Sequence, residues 1–96
     1  MVRHVVLMKF KPDIKEDQIS KIKNDLGALP GIISEIRFYE FGKDEVRSDR
    51  SYDFCLVSAF EDFDSLKRYQ VHPDHVKIVN ILKEICEDIR AVDYTF

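Results

Sequence analysis

The sequence lacks the motifs that mark several common enzyme chemistries. It contains no glycine-rich dinucleotide or phosphate loop, no Ser-His-Asp signature and no CxxC pair. Nucleotide binding, acyl-enzyme catalysis and thiol redox chemistry are therefore without support. No apolar run approaches the ~20 residues of a membrane span, and the run at 5–8 is too short for a signal peptide's hydrophobic region. We expect no membrane association.

An excess of positive charge is also missing. The 96 residues carry a formal net charge of −3, with acidic and basic side chains interspersed. Nucleic acid binding usually needs a basic face, so this balance argues against it. A hydrophobic content of 45% with 34% charged residues is typical of a globular protein. We expect one domain spanning residues 1–96.

Cysteine is scarce, and the two cysteines lie far apart in the sequence. Cys55 and Cys86 lack the spacing of a metal or redox motif. Unpaired thiols are typical of proteins from a reducing compartment. The sequence therefore predicts a cytoplasmic protein with two buried, unreactive cysteines.

The sequence does contain patterns that predict the order of its strands and helices. Apolar alternation predicts strands at 2–11, 32–41, 52–60 and 91–96, with a polar loop at 42–51. A first helix, capped by Asp13 with Glu16 and ended by Pro30-Gly31, has an apolar stripe at Ile19, Ile22, Leu26 and Leu29. A second helix, capped by Asp62 or Asp64, breaks at Pro73 and resumes to about Arg90.

The order β-α-β-β-α-β predicts the ferredoxin-like fold of the α+β class, with a four-stranded antiparallel sheet. Both helices of such a unit cover the same face of the sheet. The strand at 2–11 carries apolar residues on both of its faces, so one apolar face would remain uncovered. We therefore predict a homodimer in which two sheets pack face to face or close into a dimeric α/β barrel.

The break at residues 69–75 is the best candidate for a chemical site. His75 precedes Ile78, Val79 and Leu82 by three, four and seven residues, so it should face the sheet. A partly buried, neutral histidine close to the Tyr69 hydroxyl could act as a base near pH 7. The alternative is a structural His75 that caps the helix start and bonds to backbone. For His72, directly before the proline, the pattern favours capping or packing.

The histidines allow two further interpretations. His4 shares a strand face with Val6 and Met8 and could meet His75 across the sheet. A zinc site from His4, His72 and His75 would lack a carboxylate or thiolate in register, so no metal site is predicted from side chains.

Four segments of the sequence resemble the stress-responsive A/B barrel (Dabb) family of small dimeric α/β barrels. They are Arg3-His4-Val5-Val6-Leu7-Met8-Lys9-Phe10, Phe41-Gly42-Lys43-Asp44, Tyr69-Gln70-Val71-His72-Pro73-Asp74-His75 and Val92-Asp93-Tyr94-Thr95. The His-Pro-x-His segment after a tyrosine is the most specific of these. Together the segments extend over nearly the whole chain, and the resemblance implies a ferredoxin-like protomer that dimerises.

The resemblance also implies a candidate reaction. Plant relatives include a polyketide cyclase that closes a linear poly-β-ketone by aldol condensation, without a cofactor. The resemblance to this cyclase implies that His75 is the catalytic base, that Tyr69 is its partner and that His4 lines the same pocket. We predict a ligand pocket lined by His4, Val6, Met8, Ile22, Leu26 and Cys86. Ile22, Leu26 and Cys86 are smaller than the aromatic residues expected around a long alkyl-polyketide.

Three functions stay open at this point. The first in rank is a protein, with a stress-related role, that binds a small apolar, aromatic or ketone ligand. The second is a cofactor-free acid–base enzyme using Tyr69 and His75, and the third is a purely structural dimer. Some plant members bind magnesium between subunits through main-chain oxygens of the turn after the first helix, here residues 27–33.

Overall fold

A computed structural model describes all 96 residues. The elements run β1 (Val2–Phe10), α1 (Glu16–Ala28), a 3₁₀ turn (Leu29–Gly31), β2 (Phe38–Lys43), β3 (Phe54–Phe60), α2 (Phe63–Val71), α3 (Pro73–Ile85) and β4 (Cys86–Thr95). The four strands form one antiparallel sheet in the order β2-β3-β1-β4. This confirms the ferredoxin-like fold predicted from the sequence.

The core lies between the helices and one face of the sheet, which we call the inner face. Large side chains from the central strands, including Met8, Phe54 and Phe60, pack there against helix residues and are at most 1% exposed. The helices contribute Ile22, Leu26, Leu66, Tyr69, Ile78, Leu82 and Ile85. None of the helices is both long and apolar enough to cross a bilayer.

The other face of the sheet, the open face, has no helix against it. Its neighbouring positions include Val5 opposite Val57 and Val92, and Leu7 opposite Cys55. Leu7 is 40% exposed and Val92 62% exposed. Burying apolar surface is favourable by roughly 25 cal/mol per Å², so a contiguous apolar face of this kind favours association.

The boundary between the last helix and the last strand differs from the prediction. Helix α3 ends at Ile85, not near Arg90, and β4 begins at Cys86 rather than at residue 91. Ile89 continues the helical spacing of the apolar residues, so spacing alone favours a longer helix. Strand β4 pairs with β1 along the whole of β1, from Val2–Thr95 to Phe10–Cys86. This pairing holds residues 86–90 in the strand.

Two other predictions about local structure were wrong. Strand β2 begins at Phe38, because the chain is still turning at Ile32 and Ile33, whose N–H groups both donate to the Leu29 carbonyl. Helix α1 is not capped by Asp13. Its first turn is instead closed by the Lys15 N–H, which donates to the Gln18 side chain at 2.9 Å.

Candidate functional site

A cavity of about 200 Å³ lies between the inner face of the sheet and helices α2 and α3. Three of its lining residues can exchange or share protons: His4 from β1, Tyr69 from α2 and His75 from α3. The remaining walls are apolar, formed by Val6, Met8, Leu26, Leu56, Ile78, Val79, Leu82, Ile89 and Ala91. No lysine or arginine lines the cavity.

The break between α2 and α3 fixes the position of His75. Pro73 is the first residue of α3, and the Nδ1 atom of His72 caps that helix by accepting the Asp74 N–H at 3.2 Å. In the same turn, His75 Nδ1 lies 3.1 Å from the Gln70 carbonyl oxygen. A carbonyl can only accept a hydrogen bond, so His75 Nδ1 carries the proton and donates it. The His75 ring then lies 4.2 Å from the Tyr69 ring, centre to centre.

Burial controls the charge of His75. Removal from water disfavours the imidazolium form and lowers the pKa of His75 below its usual 6.5, against the Gln70 carbonyl, which raises it. The neighbouring His4 and His72 lower the pKa of His75 further. His75 is therefore a neutral imidazole at pH 7, and its Nε2 atom is the basic one.

His4 is held from the opposite side of the cavity. The register of β1 and β4 places His4 directly across from Asp93, and the two side chains are joined through His4 Nδ1 and an Asp93 carboxylate oxygen. An ionised carboxylate can only accept, so His4 Nδ1 carries the proton of this hydrogen bond. His4 is 7% exposed, so the pairing also satisfies a buried polar group.

The free Nε2 atoms of His4 and His75 face accessible space. Neither atom has a hydrogen-bond partner within the chain, and no fully buried side-chain nitrogen or oxygen lacks one. Both Nε2 atoms must therefore be reached by solvent-sized molecules. Both rings line the cavity, where the neutral His75 ring offers its Nε2 atom as an acceptor.

Tyr69 provides the third polar group and is completely buried. Its hydroxyl lies 2.8 Å from the hydroxyl of Tyr39 on β2. Burial raises the pKa of Tyr69 well above its usual value, with the nearby Tyr39 adding to the effect. Tyr69 therefore keeps its proton at neutral pH and has it available for donation. Its ring packs against the Phe60 ring, with the two centres 4.8 Å apart.

The structure brings together most, but not all, of the residues selected from the sequence. His4, Val6, Met8, Leu26, Tyr69 and His75 line one cavity. Ile22 and Cys86 do not reach it; both belong to the core, and burial raises the pKa of the Cys86 thiol to about 11. Cys55 is only partly buried, on the open face, which corrects the prediction of two buried cysteines.

Two polar residues of the site were missed. Asp93 and Tyr39 fall within predicted strands, and strand alternation assigns each a face but gives no partner across the sheet. A β1–β4 register would have revealed Asp93, since it places that residue opposite His4. Nothing in the sequence indicates that Tyr39 meets Tyr69, 30 residues away.

A larger groove of about 450 Å³ lies on the open face, beside Leu7, Cys55 and Val57, with Glu40, Lys43 and Arg50 at its edges. It contains none of the histidines and lies where a second subunit would pack. The smaller cavity, with its histidines and Tyr69, is the better candidate for chemistry. The structure assembles no group of three or more His, Cys, Asp or Glu side chains able to hold a metal ion.

Comparison with known protein families identifies the family to which the chain belongs. The model of the stress responsive A/B barrel domain matches residues 2–96. The chain belongs to this family. Its relatives include an uncharacterized protein of Streptomyces coelicolor, 35% identical over 100% of both chains.

Two plant proteins also match. A stress-response A/B barrel domain-containing protein of Arabidopsis thaliana is 32% identical over 98% of this chain. This chain spans only 36% of the length of that Arabidopsis protein. Olivetolic acid cyclase of Cannabis sativa is 27% identical, over 98% of this chain and 95% of the cyclase.

Solved structures agree with the family assignment. A dimeric ferredoxin-like protein of unknown function from Thermobifida fusca superimposes with a TM-score of 0.90, at 30% identity over 99% of this chain and 90% of its own. A dimeric protein of unknown function from Bacteroides fragilis superimposes with a TM-score of 0.87, at 34% identity over 99% of this chain and 95% of its own. The A/B barrel fold is therefore shared with proteins that are themselves dimers.

Proposed function

We propose that this chain forms a homodimer and that each subunit binds a small, neutral, largely apolar carbonyl or phenolic molecule in its cavity. The observation that carries the proposal is the meeting of His4, Tyr69 and His75 in one cavity with apolar walls. A few placed polar groups in an apolar cavity are the usual composition of a small-molecule site. The cavity itself counts against a purely structural dimer.

The homodimer follows from the open face. Its apolar strip of Val5, Leu7, Val57 and Val92 has no cover within the chain. Two-fold packing of a copy on this strip would bury it and leave the helices outside. Two relatives with the same fold are dimeric, which supports the homodimer itself.

The size and charge of the cavity limit its ligand. At about 200 Å³ it is smaller than the ~300–1,000 Å³ of most drug-sized sites. With no lysine or arginine in the lining, a buried anionic group would lack a partner, and that is costly. A compact neutral molecule with one oxygen acceptor for Tyr69 suits it best.

A pair of matched probes tests this ligand class. Acetophenone and benzoate have similar size and shape but differ in charge. We expect acetophenone to shift the amide NMR signals of residues around Tyr69, His75 and Ile78, and benzoate to leave them unchanged at the same concentration. Equal binding of the two probes, or shifts confined to the open face, would refute the proposed ligand site.

Acid–base catalysis in the same cavity is the second candidate. The observation that favours it is that both imidazoles have Nδ1 engaged, by Gln70 and Asp93, and Nε2 unbonded. In such a step the Nε2 atom of His75 takes an α-proton from a ketone, and the Tyr69 hydroxyl hydrogen-bonds the resulting enolate oxygen. The similarity to olivetolic acid cyclase supports a cyclase-like reaction as the candidate.

Deuterium exchange measures this proton transfer directly. We expect the protein to accelerate exchange of the α-protons of phenylacetone in D₂O, and His75→Gln to lower the protein-dependent rate roughly 100-fold, because a positioned base contributes about 10²–10⁴. The rate should fall as pH drops through the pKa of His75, below 6.5, where the ring becomes protonated.

The matched control is His72→Asn. Asparagine can still cap α3, and His72 does not line the cavity, so the exchange rate should stay at the wild-type level. If wild type gives no exchange above buffer while acetophenone binds, the protein is a binder and the catalytic candidate is wrong.

A further inference from the structure

Tyr39 lies directly behind the donor group of the cavity. Its hydroxyl is 2.8 Å from that of Tyr69, and the two rings meet at an angle of 67° with centres 6.2 Å apart. Tyr39 comes from β2 and is absent from the cavity lining. It can therefore touch Tyr69 but not a molecule bound in the cavity.

The number of hydroxyl protons determines which tyrosine donates to the other once a ligand is bound. A tyrosine hydroxyl has one proton and can also accept. In the empty protein, either hydroxyl can donate to the other. When a ligand oxygen accepts the proton of Tyr69, the Tyr69 oxygen is left as an acceptor only, and Tyr39 becomes its donor.

We propose that Tyr39 is a positioning residue that donates to Tyr69 and thereby strengthens the hydrogen bond from Tyr69 to a carbonyl or phenolic oxygen in the cavity. This inference rests on the proposed ligand site and specifies how that site would recognise oxygen. Hydrogen bonds in series polarise one another, so each donor makes the next one stronger.

The surroundings of the pair favour this arrangement. Tyr39 is partly buried, and burial raises its pKa to about 12, so it remains a protonated donor at neutral pH. No other tyrosine can replace it: Tyr52 donates to Asp88, and Tyr94 lies opposite Arg3 on the open face. The chain therefore contains one pair of linked hydroxyls at the cavity.

Carbonyl NMR of a bound probe tests the role of Tyr39. The ¹³C signal of carbonyl-labelled acetophenone moves downfield when its oxygen accepts a hydrogen bond. We expect a downfield shift on binding to wild type, loss of most of it in Tyr69→Phe, and loss of about 10–30% of it in Tyr39→Phe. The control Tyr94→Phe, which removes a hydroxyl from the opposite face of the sheet, should leave the shift unchanged.

The outcomes separate this inference from the proposed function. If Tyr69→Phe has the same carbonyl shift as wild type, the ligand does not use Tyr69, and both proposals are wrong. If Tyr69→Phe removes the shift and Tyr39→Phe keeps all of it, the ligand site stands and Tyr39 has no part in it. A purely structural Tyr39 could alter affinity, but it would not alter the shift of the bound carbonyl.

A measurement on the unmodified chain covers the case in which Tyr39→Phe does not fold. With ¹³C at the ζ-carbon of all 4 tyrosines, acetophenone should move the signals of Tyr39 and Tyr69 and leave Tyr52 and Tyr94 in place. Movement of the Tyr69 signal alone would overturn the inference, because the hydrogen bond from Tyr69 to the ligand would then not strengthen the bond between Tyr39 and Tyr69.

Discussion

Val57→Glu converts the protein from a dimer to a monomer at micromolar concentration. Val57 is at the centre of the open face, between Glu40 on β2 and Val5 on β1. In a two-fold dimer through this face, the new carboxylate would be buried among apolar side chains beside Glu40 and would approach its own copy. An unpaired buried charge costs about 3–5 kcal/mol, which weakens association by a factor on the order of 10²–10⁴.

Sedimentation equilibrium provides the measurement. Wild type should sediment at twice the chain mass of 11.3 kDa and Val57→Glu at the chain mass. Val71→Glu is the matched control, because Val71 is 73% exposed at the end of α2, on the helical side of the sheet, and should remain dimeric. A monomeric wild type, or a Val57→Glu variant that stays dimeric, contradicts packing through the open face.

Phe60→Ala should lower the free energy of unfolding by about 3–5 kcal/mol, the usual cost of truncating a buried aromatic residue. Phe60 is completely buried, and its ring supports Tyr69 at 4.8 Å. The truncation leaves a void beside the Tyr69 ring. We therefore expect lost stability together with weaker binding of acetophenone, because the Tyr69 hydroxyl is no longer fixed.

Urea unfolding at one fixed protein concentration tests the prediction, since the stability of a dimer depends on concentration. Phe63→Ala is the control: Phe63 is 47% exposed at the start of α2, and its truncation should cost less than about 1 kcal/mol. Equal losses of unfolding free energy would contradict the core role of Phe60, and unchanged acetophenone binding by Phe60→Ala would show that its packing against Tyr69 does not support the site.

The fold could be predicted from the sequence because its elements carry strong local signals. The alternation in β1 and β3, the apolar stripe of α1 and the break at Pro73 each reflect a single element and its own periodicity. The uncovered sheet face also followed from one strand, since β1 is apolar on both sides. The sequence-based predictions were wrong where pairing across the sheet determines the structure. Ile89 fits a helix by its spacing from the other apolar residues, but it pairs with Met8 in a strand.

The candidate site was predictable in part for the same reason. His75 and Tyr69 are close in the sequence, on two helices joined at one proline, so helical geometry brings them together. Asp93 and Tyr39 reach the site from edge strands, through strand order and register. Those long-range relations are properties of the folded sheet, and no local pattern in the sequence encodes them.

The most direct test of the proposed site is the tautomer and pKa of His75, read by ¹H–¹⁵N NMR of the imidazole rings across pH. The chain has 3 histidines, so the signals can be assigned by single substitutions. We predict a neutral ring at pH 7 with the proton on Nδ1, a bare Nε2 and a pKa below 6.5. A ring that titrates like a free histidine, or that carries its proton on Nε2, would contradict the proposal.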